Sequence, residues 1–464
     1  MGQSSQPHEL GGGLKSRHVT MLSIAGVIGA SLFVGSSVAI AEAGPAVLLA
    51  YLFAGLLVVM IMRMLAEMAV ATPDTGSFST YADKAIGRWA GYTIGWLYWW
   101  FWVLVIPFEA NAAAAIINSW IPGAPIWLLA FLITAALTVT NLFSVKNYGE
   151  FEFWFALIKV VSIIAFIIFG CAAVFGFSPN PEVSGVKHLW DHGGFMPNGW
   201  GPVLAALLTT MFSFMGSEIV TIAASESKDP EHQITKATNS VIWRIALFYI
   251  VSIFIVIALV PWNDPNLPNM GSYQTVLSAL HVPHAKLMVD IVVLTSVASC
   301  LNSALYTASR MVYSLGVRGD APSFTKKVNS QHTPVYAVLL STAVAFICTF
   351  ANYAAPKAVF NFLLDSSGAI ALLVYLVIAF SQLAMRKKLV AEGKQLTMKM
   401  WCFPYLTWAV IVFIIAALVI MAFDPAHTHE ITSTAILSVF VVISGLIVTK
   451  RRSEKAPSAI AESK

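Results

Sequence analysis

Three ionisable side chains, Glu109, Lys159 and Glu218, lie inside long apolar segments of the chain. A charged group within a lipid bilayer costs several kcal/mol, so residues of this kind usually bind a charged solute or carry a proton. We therefore take all three as candidates for proton coupling. Glu109 is also a candidate for binding a cationic group of a substrate.

Each of these residues also has a structural alternative. Glu109 follows Pro107, which is expected to kink its helix, and the carboxylate would then accept a hydrogen bond from a neighbouring helix. Lys159 lies near the start of its apolar segment, from which a long side chain can reach the membrane interface. Glu218 stands beside small residues, where it would satisfy backbone N–H groups that a broken helix leaves free.

Small residues interrupt the first and the sixth apolar segments, at residues 26–35 and 212–218. Glycine disfavours a helix by about 1 kcal/mol relative to alanine, so both clusters predict discontinuous helices. The alternative is that the small residues allow close packing of neighbouring helices. Segments one and six run in opposite directions, and paired interruptions in inverted halves indicate a binding site near the midplane of the membrane.

The two interruptions would offer opposite charges to a substrate. The half-helix that follows Gly29 would bind a carboxylate through the amides of Gly29, Ala30 and Ser31. The unwound carbonyl groups near Met215 and Ser217 would face an ammonium group. The sequence therefore predicts a small zwitterionic substrate.

Other sequence features narrow the chemistry further. Cys300 and Asn302 in the eighth segment are predicted to line the cavity, although small residues there suit helix packing equally well. The four cysteines have no metal-ligand spacing, so we predict neither a disulfide nor a metal site. The sequence has no phosphate-binding GxxxxGKS or GxxxxGKT motif, so we expect no cofactor and an ion gradient as the driving force. It also lacks the repeated filter residues of a passive channel and the residue constellations of an intramembrane enzyme.

The composition requires a membrane around these sites. Of the 464 residues, 58% are hydrophobic and 11% are charged, against about 25% charged residues in ordinary soluble domains. Lys and Arg cluster between apolar segments, which explains the net charge of +4 by membrane orientation, and no nucleic-acid partner is implied. If the N-terminus is inside, most of the 27 Lys and Arg residues are inside, so both termini are predicted to be cytoplasmic. The predicted spans lie near 18–41, 45–71, 90–118, 126–143, 153–177, 202–224, 239–260, 285–315, 334–353, 358–384, 401–423 and 431–449.

Several local sequences together resemble one known family. They are residues 26–35, 67–69, 144–154 and 212–220. They resemble the bacterial amino acid permeases of the amino acid/polyamine/organocation superfamily, and their details are similar to its γ-aminobutyrate permeases. The resemblance implies an all-α inner-membrane protein of about 12 helices, with a 5+5 inverted repeat, discontinuous helices 1 and 6 and two peripheral helices. It also implies proton-coupled symport by alternating access in a monomer or weak oligomer.

The implied division of the chain follows the helices. It comprises a cytoplasmic N-terminal tail at 1–17, a first repeat at 18–177, a second repeat at 178–384, peripheral helices at 385–449 and a cytoplasmic C-terminal tail at 450–464.

The resemblance also implies roles for individual residues. The stretch from Gly29 to Ser31 matches a carboxylate-binding motif, Phe212 matches a gating aromatic residue, and Glu109 falls where a functional acid occurs. Lys159 falls where sodium-independent relatives place an ammonium group in the position of a sodium ion. Ser31 replaces a glycine that is common in α-amino acid permeases, and this favours γ-aminobutyrate. β-Alanine and other ω-amino acids remain open as substrates, and a permease for an α-amino acid is the main alternative.

Overall fold

The computed structural model of the chain describes residues 14–461, apart from residues 26, 144, 179, 181, 355 and 424–427. No strand occurs among these residues. The α-helices, numbered in chain order, are α1 (Ser16–Ala25), α2 (Ser36–Ala43), α3 (Val47–Ala71), α4 (Ser77–Ala85), α5 (Arg88–Trp120), α6 (Ile126–Leu142), α7 (Val145–Val174), α8 (Trp200–Phe214), α9 (Ile219–Ser225), α10 (Pro230–Arg244), α11 (Ser252–Leu259), α12 (Leu267–Met270), α13 (Ser272–Ala279), α14 (Ala285–Arg318), α15 (Val335–Ala354), α16 (Pro356–Ala391), α17 (Tyr405–Phe423) and α18 (Thr428–Ala461).

Apolar helices of membrane-spanning length recur along the chain. In the part of the chain that the structure describes, eight helical segments are long and apolar enough to cross a membrane, and two shorter apolar helices, Ile126–Leu142 and Val335–Ile347, accompany them. The first of the eight, Ser31–Ala71, has 41 residues, about twice the length of one pass, and is interrupted at the short 3₁₀ turn Gly44–Ala46, so it supplies two passes. The discontinuous pair α8 and α9 supplies another. The all-α architecture of about a dozen passes that the sequence predicts is thereby confirmed.

Two helices at the C-terminal end lie at the periphery. In α17 and α18 only 28% and 17% of the apolar window is buried inside the protein, against 72% in α5. A helix that is apolar all round and exposed on most of its surface requires lipid as its solvent. The central helix α5 packs along α14 and also contacts α4, α6 and α16, so it forms the middle of the bundle.

Some helices extend beyond the spans that hydropathy predicts. α7 begins at Val145 rather than near 153, α10 begins at Pro230 rather than near 239, and α18 continues to Ala461. Hydropathy identifies the part of a helix that lies in lipid, whereas these extensions are polar. The start of α10 has its own local cause, because Pro230 occupies the first turn and the Asp229 carboxylate accepts a hydrogen bond from the His232 amide.

The polar stretch at 261–284 forms two short helices, α12 and α13, which contact α2 and α14 respectively. Tyr273 of α13 packs between the ring of Phe33, at 5.0 Å, and that of Phe166, at 3.8 Å. The Ser272 hydroxyl lies 2.8 Å from the Ser36 hydroxyl. α13 is therefore anchored on the outer half of the first membrane helix.

A buried ion pair joins the end of α9 to α14. The Arg310 guanidinium donates to Glu226 over 3.3 Å, and both side chains are almost fully buried. The Tyr306 hydroxyl donates to the same carboxylate oxygen over 2.9 Å, and the ring of Tyr148 from α7 stacks on Tyr306 at 4.4 Å. Three helices thus depend on one charge pair that is removed from solvent.

We predict that Arg310→Leu lowers the free energy of unfolding by about 3–5 kcal/mol, because it leaves the Glu226 carboxylate buried without its cation. The double variant Arg310→Leu, Glu226→Leu should recover much of that loss. Thermal unfolding of the purified protein in detergent measures both. Arg17→Ala serves as the control, since the Arg17–Glu150 pair is partly exposed and screened by solvent, so its loss should change the stability little. Equal losses in the double and single variants would contradict the prediction.

Candidate functional site

The first membrane helix is interrupted where the sequence predicts. α1 ends at Ala25, and helical structure resumes at Ala30 as a π-helical turn, Ser31–Gly35, that continues into α2. The interruption leaves backbone groups without helical partners, and side chains from other helices bind them. The Ile28 carbonyl accepts a hydrogen bond of 2.7 Å from the Lys159 ammonium, and the Ala30 amide donates to the Glu109 carboxylate. Freed backbone groups at membrane depth require such partners.

The sixth membrane helix is interrupted between α8 and α9, across residues 215–218. Gly216 has a φ angle of +105°, a conformation that glycine adopts without strain. The Gly216 amide lies 3.1 Å from both Glu218 carboxylate oxygens, and the Tyr98 hydroxyl donates to one of them over 2.8 Å. Glu218 therefore stabilises the interruption by binding a freed backbone amide, which is the structural alternative given for this residue above. Its role in proton coupling stays a prediction.

Tyr249 joins the two interruptions. Its hydroxyl donates to the Ser213 carbonyl over 2.9 Å and lies 3.1 Å from the Val27 carbonyl. The side chain is fully buried at the π-helical turn between α10 and α11. One hydroxyl group thus connects the first and sixth membrane helices with the helix formed by α10 and α11. The sequence analysis did not identify this residue, because a tyrosine in an apolar segment carries no charge or motif that marks it.

Glu109 lies directly against the carboxylate-binding stretch predicted from the sequence. Its two carboxylate oxygens are 3.2 and 3.4 Å from the Ala30 amide nitrogen, and the side chain is buried. A methyl group on Gly29 would overlap the Glu109 carboxylate and contact the Cys300 sulfur, so only glycine allows this approach. The Cys300 sulfur and the Glu109 carboxylate thus both lie beside Gly29. Glu109, Gly29, Ala30 and Cys300 therefore form one cluster.

A second buried carboxylate, that of Glu152, lies on the same helix as Lys159. Glu152 accepts hydrogen bonds from the Ser299 hydroxyl, from the Asn302 amide over 2.9 Å and from the Ser303 hydroxyl over 3.1 Å. The Lys159 ammonium is attracted electrostatically to Glu152 and also to Glu109. The sequence analysis missed Glu152, because hydropathy placed the start of this span near 153. The sequence does show that Glu152 lies two helical turns before Lys159, and this spacing could have identified the pair.

The remaining predicted residues separate into three groups. Asn302 belongs to the Glu152 cluster, and its amide oxygen accepts a hydrogen bond of 2.7 Å from Asn141. Met215 and Ser217 are buried at the helix-6 interruption, where the Ser217 hydroxyl donates to the Phe214 carbonyl over 3.0 Å. The side chain of Phe212 lies outside the described part of the structure, so its gating role stays a prediction.

Space around these groups is unevenly distributed. A void of about 10 Å³ borders both interruptions through Val27, Ile28 and Ser217, and its other lining residues lie on α10 and the π-helical turn that follows it. A cavity of about 570 Å³ lies between α5, α14 and the α12–α13 segment and reaches Ala30 and Phe33; we call it the outer cavity, because the predicted orientation places it on the external face. Small-molecule pockets commonly measure about 300–1,000 Å³, so the outer cavity can hold a small substrate and the void cannot. No group of three His, Cys, Asp or Glu side chains suited to a metal occurs among the described residues.

Comparisons with known proteins agree with this arrangement. The model of the amino acid permease family matches residues 18–455. The chain is 70% identical over 450 residues to the gamma-aminobutyric acid permease of Escherichia coli strain K12, covering 97% of each chain. It is 52% identical to the gamma-aminobutyric acid permease of Bacillus subtilis strain 168, covering 96% of this chain and 95% of the relative. It is 39% identical to an aromatic amino acid transport protein of Corynebacterium glutamicum, over 97% of this chain and 98% of the relative.

One solved structure shows the same fold. A manganese transporter of Eremococcus coleocola aligns with a TM-score of 0.60 at 13% sequence identity, and the alignment covers 94% of each chain. At this identity the likeness concerns the fold alone. It supports the predicted architecture with discontinuous helices 1 and 6.

We predict that Gly29→Ala lowers the free energy of unfolding by about 1–3 kcal/mol, because the new methyl group displaces the Glu109 carboxylate from the Ala30 amide. Adding Glu109→Asp, which shortens the acidic side chain, should recover part of the loss. Thermal unfolding in detergent measures the complete double-variant cycle. Gly201→Ala is the control, since a methyl group on Gly201 meets nothing within 4 Å. Strictly additive effects of the Gly29 and Glu109 substitutions would refute the coupling.

Proposed function

The chain belongs to the amino acid permease family, and we propose that it imports γ-aminobutyrate and related ω-amino acids by proton-coupled symport with alternating access. Family membership makes it a multi-pass membrane protein and not an enzyme. The observation that carries the substrate assignment is 70% identity, over 97% of both chains, to a relative named for γ-aminobutyrate. The proposed location is the bacterial inner membrane with both termini in the cytoplasm, on the basis of the distribution of Lys and Arg.

The position of Glu109 supports a defined role for the helix-1 interruption. Its carboxylate accepts the hydrogen bond of the Ala30 amide, which is the group proposed to bind the substrate carboxylate. Two carboxylates compete for one donor, so an arriving substrate displaces Glu109 or binds when Glu109 carries a proton. A protonated carboxyl becomes a hydrogen-bond donor and loses its charge, which removes this competition. Substrate binding and proton binding are thereby linked at one residue.

The position of Lys159 supports coupling to protons without sodium. Its ammonium group binds the Ile28 carbonyl that the helix-1 interruption leaves free. Backbone carbonyls released at broken helices are the groups that coordinate sodium in other transporters. An ammonium group in that position supplies the positive charge from the protein itself. The nearby carboxylates Glu109 and Glu152 provide the proposed acceptors for a proton.

Transport measurements in proteoliposomes test this proposal. We predict that an inward proton gradient drives accumulation of labelled γ-aminobutyrate in sodium-free buffer, and that Lys159→Ala abolishes accumulation far more than it lowers protein abundance. Lys146→Ala, an exposed residue at the start of the same helix, is the matched control and should transport normally. Glu109→Gln should insert normally and lose the pH dependence of uptake. A sodium requirement in the parent, or concentrative uptake by Lys159→Ala, would refute the coupling mechanism.

Counterflow of labelled substrate distinguishes the carrier from its alternative. A carrier exchanges external label for internal unlabelled substrate in the absence of a gradient, whereas a passive channel merely equilibrates the label. Counterflow that is absent from vesicles containing the correctly inserted protein would contradict the transporter assignment itself.

Specificity provides a further prediction. γ-Aminobutyrate should compete for uptake at least about tenfold better than alanine or glutamate, which corresponds to about 1.4 kcal/mol. An α-amino acid carries both charges at one end and leaves a buried polar group unpaired, at a cost of about 1–3 kcal/mol. Ser31→Gly should narrow the difference by opening space beside the carboxylate site, and Ser37→Gly on α2 is the control. Equal competition by alanine in the parent would instead indicate an α-amino acid permease.

A further inference from the structure

Asn111 is a buried polar residue that the proposed mechanism does not yet use. It lies on α5 and lines the outer cavity of about 570 Å³ that reaches Ala30. The residue is only 7% exposed, and neither its amide nitrogen nor its amide oxygen has a hydrogen-bond partner among the described residues. Buried amide groups normally have partners, so a side chain that lacks both is a candidate for binding whatever occupies the cavity.

The charged residues that line the cavity indicate which group of a substrate Asn111 would bind. Only two residues in the described lining carry a formal charge, and these are Lys286 and Asp290. They form an ion pair of 2.6 Å, and the Asp290 carboxylate also accepts a hydrogen bond of 3.2 Å from the Trp120 indole. Each charge therefore already has an oppositely charged partner in the structure. Among the side-chain amide oxygens of the described lining, that of Asn111 is the one buried without a hydrogen-bond partner.

The residues predicted from the sequence to meet the substrate ammonium do not reach this cavity. Met215, Ser217 and Glu109 are absent from its described lining, whereas Ala30 is present. A substrate whose carboxylate approaches Ala30 from outside thus has its other end among α5 and α14 residues. Asn111 lies two residues beyond Glu109 on α5, so it is carried by the same helix as the proposed coupling carboxylate.

We propose that Asn111 is a substrate-binding residue, whose amide oxygen accepts a hydrogen bond from the ammonium group of an ω-amino acid in the outer cavity. This inference rests on the proposed transport of γ-aminobutyrate and adds a specificity-determining residue to it. Ala30 and Asn111 then define the two ends of the site. The site then selects substrates in which the distance between the two charged groups matches the distance between Ala30 and Asn111.

The first test is Asn111→Leu, which keeps the approximate size of the side chain and removes both polar groups. The inhibition constant of γ-aminobutyrate against labelled uptake should rise about tenfold or more, because a hydrogen bond to a charged group is lost. The amount of inserted protein is measured in the same vesicles. Asn118→Leu is the matched control on α5, because the Asn118 amide donates to the Ala124 carbonyl over 2.7 Å and Asn118 is not among the cavity-lining residues. That variant should keep the parental inhibition constant.

The second test uses the reach of the side chain. Asn111→Gln advances the amide oxygen by about one methylene group, so the preferred substrate should become shorter by the same amount. The ratio of the inhibition constants of β-alanine and γ-aminobutyrate should therefore fall by about fivefold or more relative to the parent. A residue that merely supports the fold would weaken both competitors equally, so the ratio separates binding from structural support.

The outcomes distinguish this inference from the proposed function. If γ-aminobutyrate does not compete in the parent, the proposed function and this inference both fail. If it competes in the parent and equally well in Asn111→Leu, only the role of Asn111 is overturned. An unchanged ratio of β-alanine to γ-aminobutyrate in Asn111→Gln also overturns it. A rise in the inhibition constant for Asn111→Leu together with the shifted ratio for Asn111→Gln supports the assignment.

Discussion

The structure depends on one constraint, which is that a backbone group freed from a helix within a membrane must find a partner inside the protein. Two helices are interrupted at membrane depth, and each interruption leaves carbonyl and amide groups that water would bind in a soluble protein. Lys159 and Glu109 bind the freed groups of helix 1, Glu218 binds the Gly216 amide of helix 6, and Tyr249 connects the two helices. The charged residues thus have a structural reason to lie in the membrane.

The same contacts explain how binding and coupling can share residues. A side chain that satisfies a freed backbone group occupies the position that a substrate or an ion would take. Glu109 does so at the Ala30 amide and Lys159 does so at the Ile28 carbonyl. In the proposed mechanism, Glu109 is displaced or protonated when the substrate binds. Lys159 stays at the Ile28 carbonyl and supplies the positive charge there. Stability and transport are therefore expected to respond to the same substitutions, and Glu109 and Lys159 require measurements of both.

The sequence predicted the features that leave a local signal and missed those that arise from distant contacts. Glycine and serine clusters located both interruptions, and α8 ends at Phe214 within the predicted stretch. Tyr249 and Asn111 were not identified, because an uncharged polar residue in an apolar helix has no distinctive periodicity. Their importance depends on which helices pack beside them. Glu152 was missed for a different reason, since hydropathy identifies the lipid-embedded part of a helix and α7 extends beyond it.

The positions of the cavities indicate from which side a substrate reaches the helix-1 interruption in the proposed transport cycle. The outer cavity reaches Ala30, whereas the pocket that borders both interruptions measures about 10 Å³, and the end of α9 is joined to α14 by the buried Glu226–Arg310 pair. In the proposed orientation a substrate approaches the helix-1 interruption from outside, and passage inward requires the packed groups to separate. Breaking a buried ion pair is costly unless both charges gain new partners, and an aqueous pathway on the cytoplasmic side would supply them. In this scheme, inward opening hydrates Glu226 and Arg310 at the step that releases the substrate.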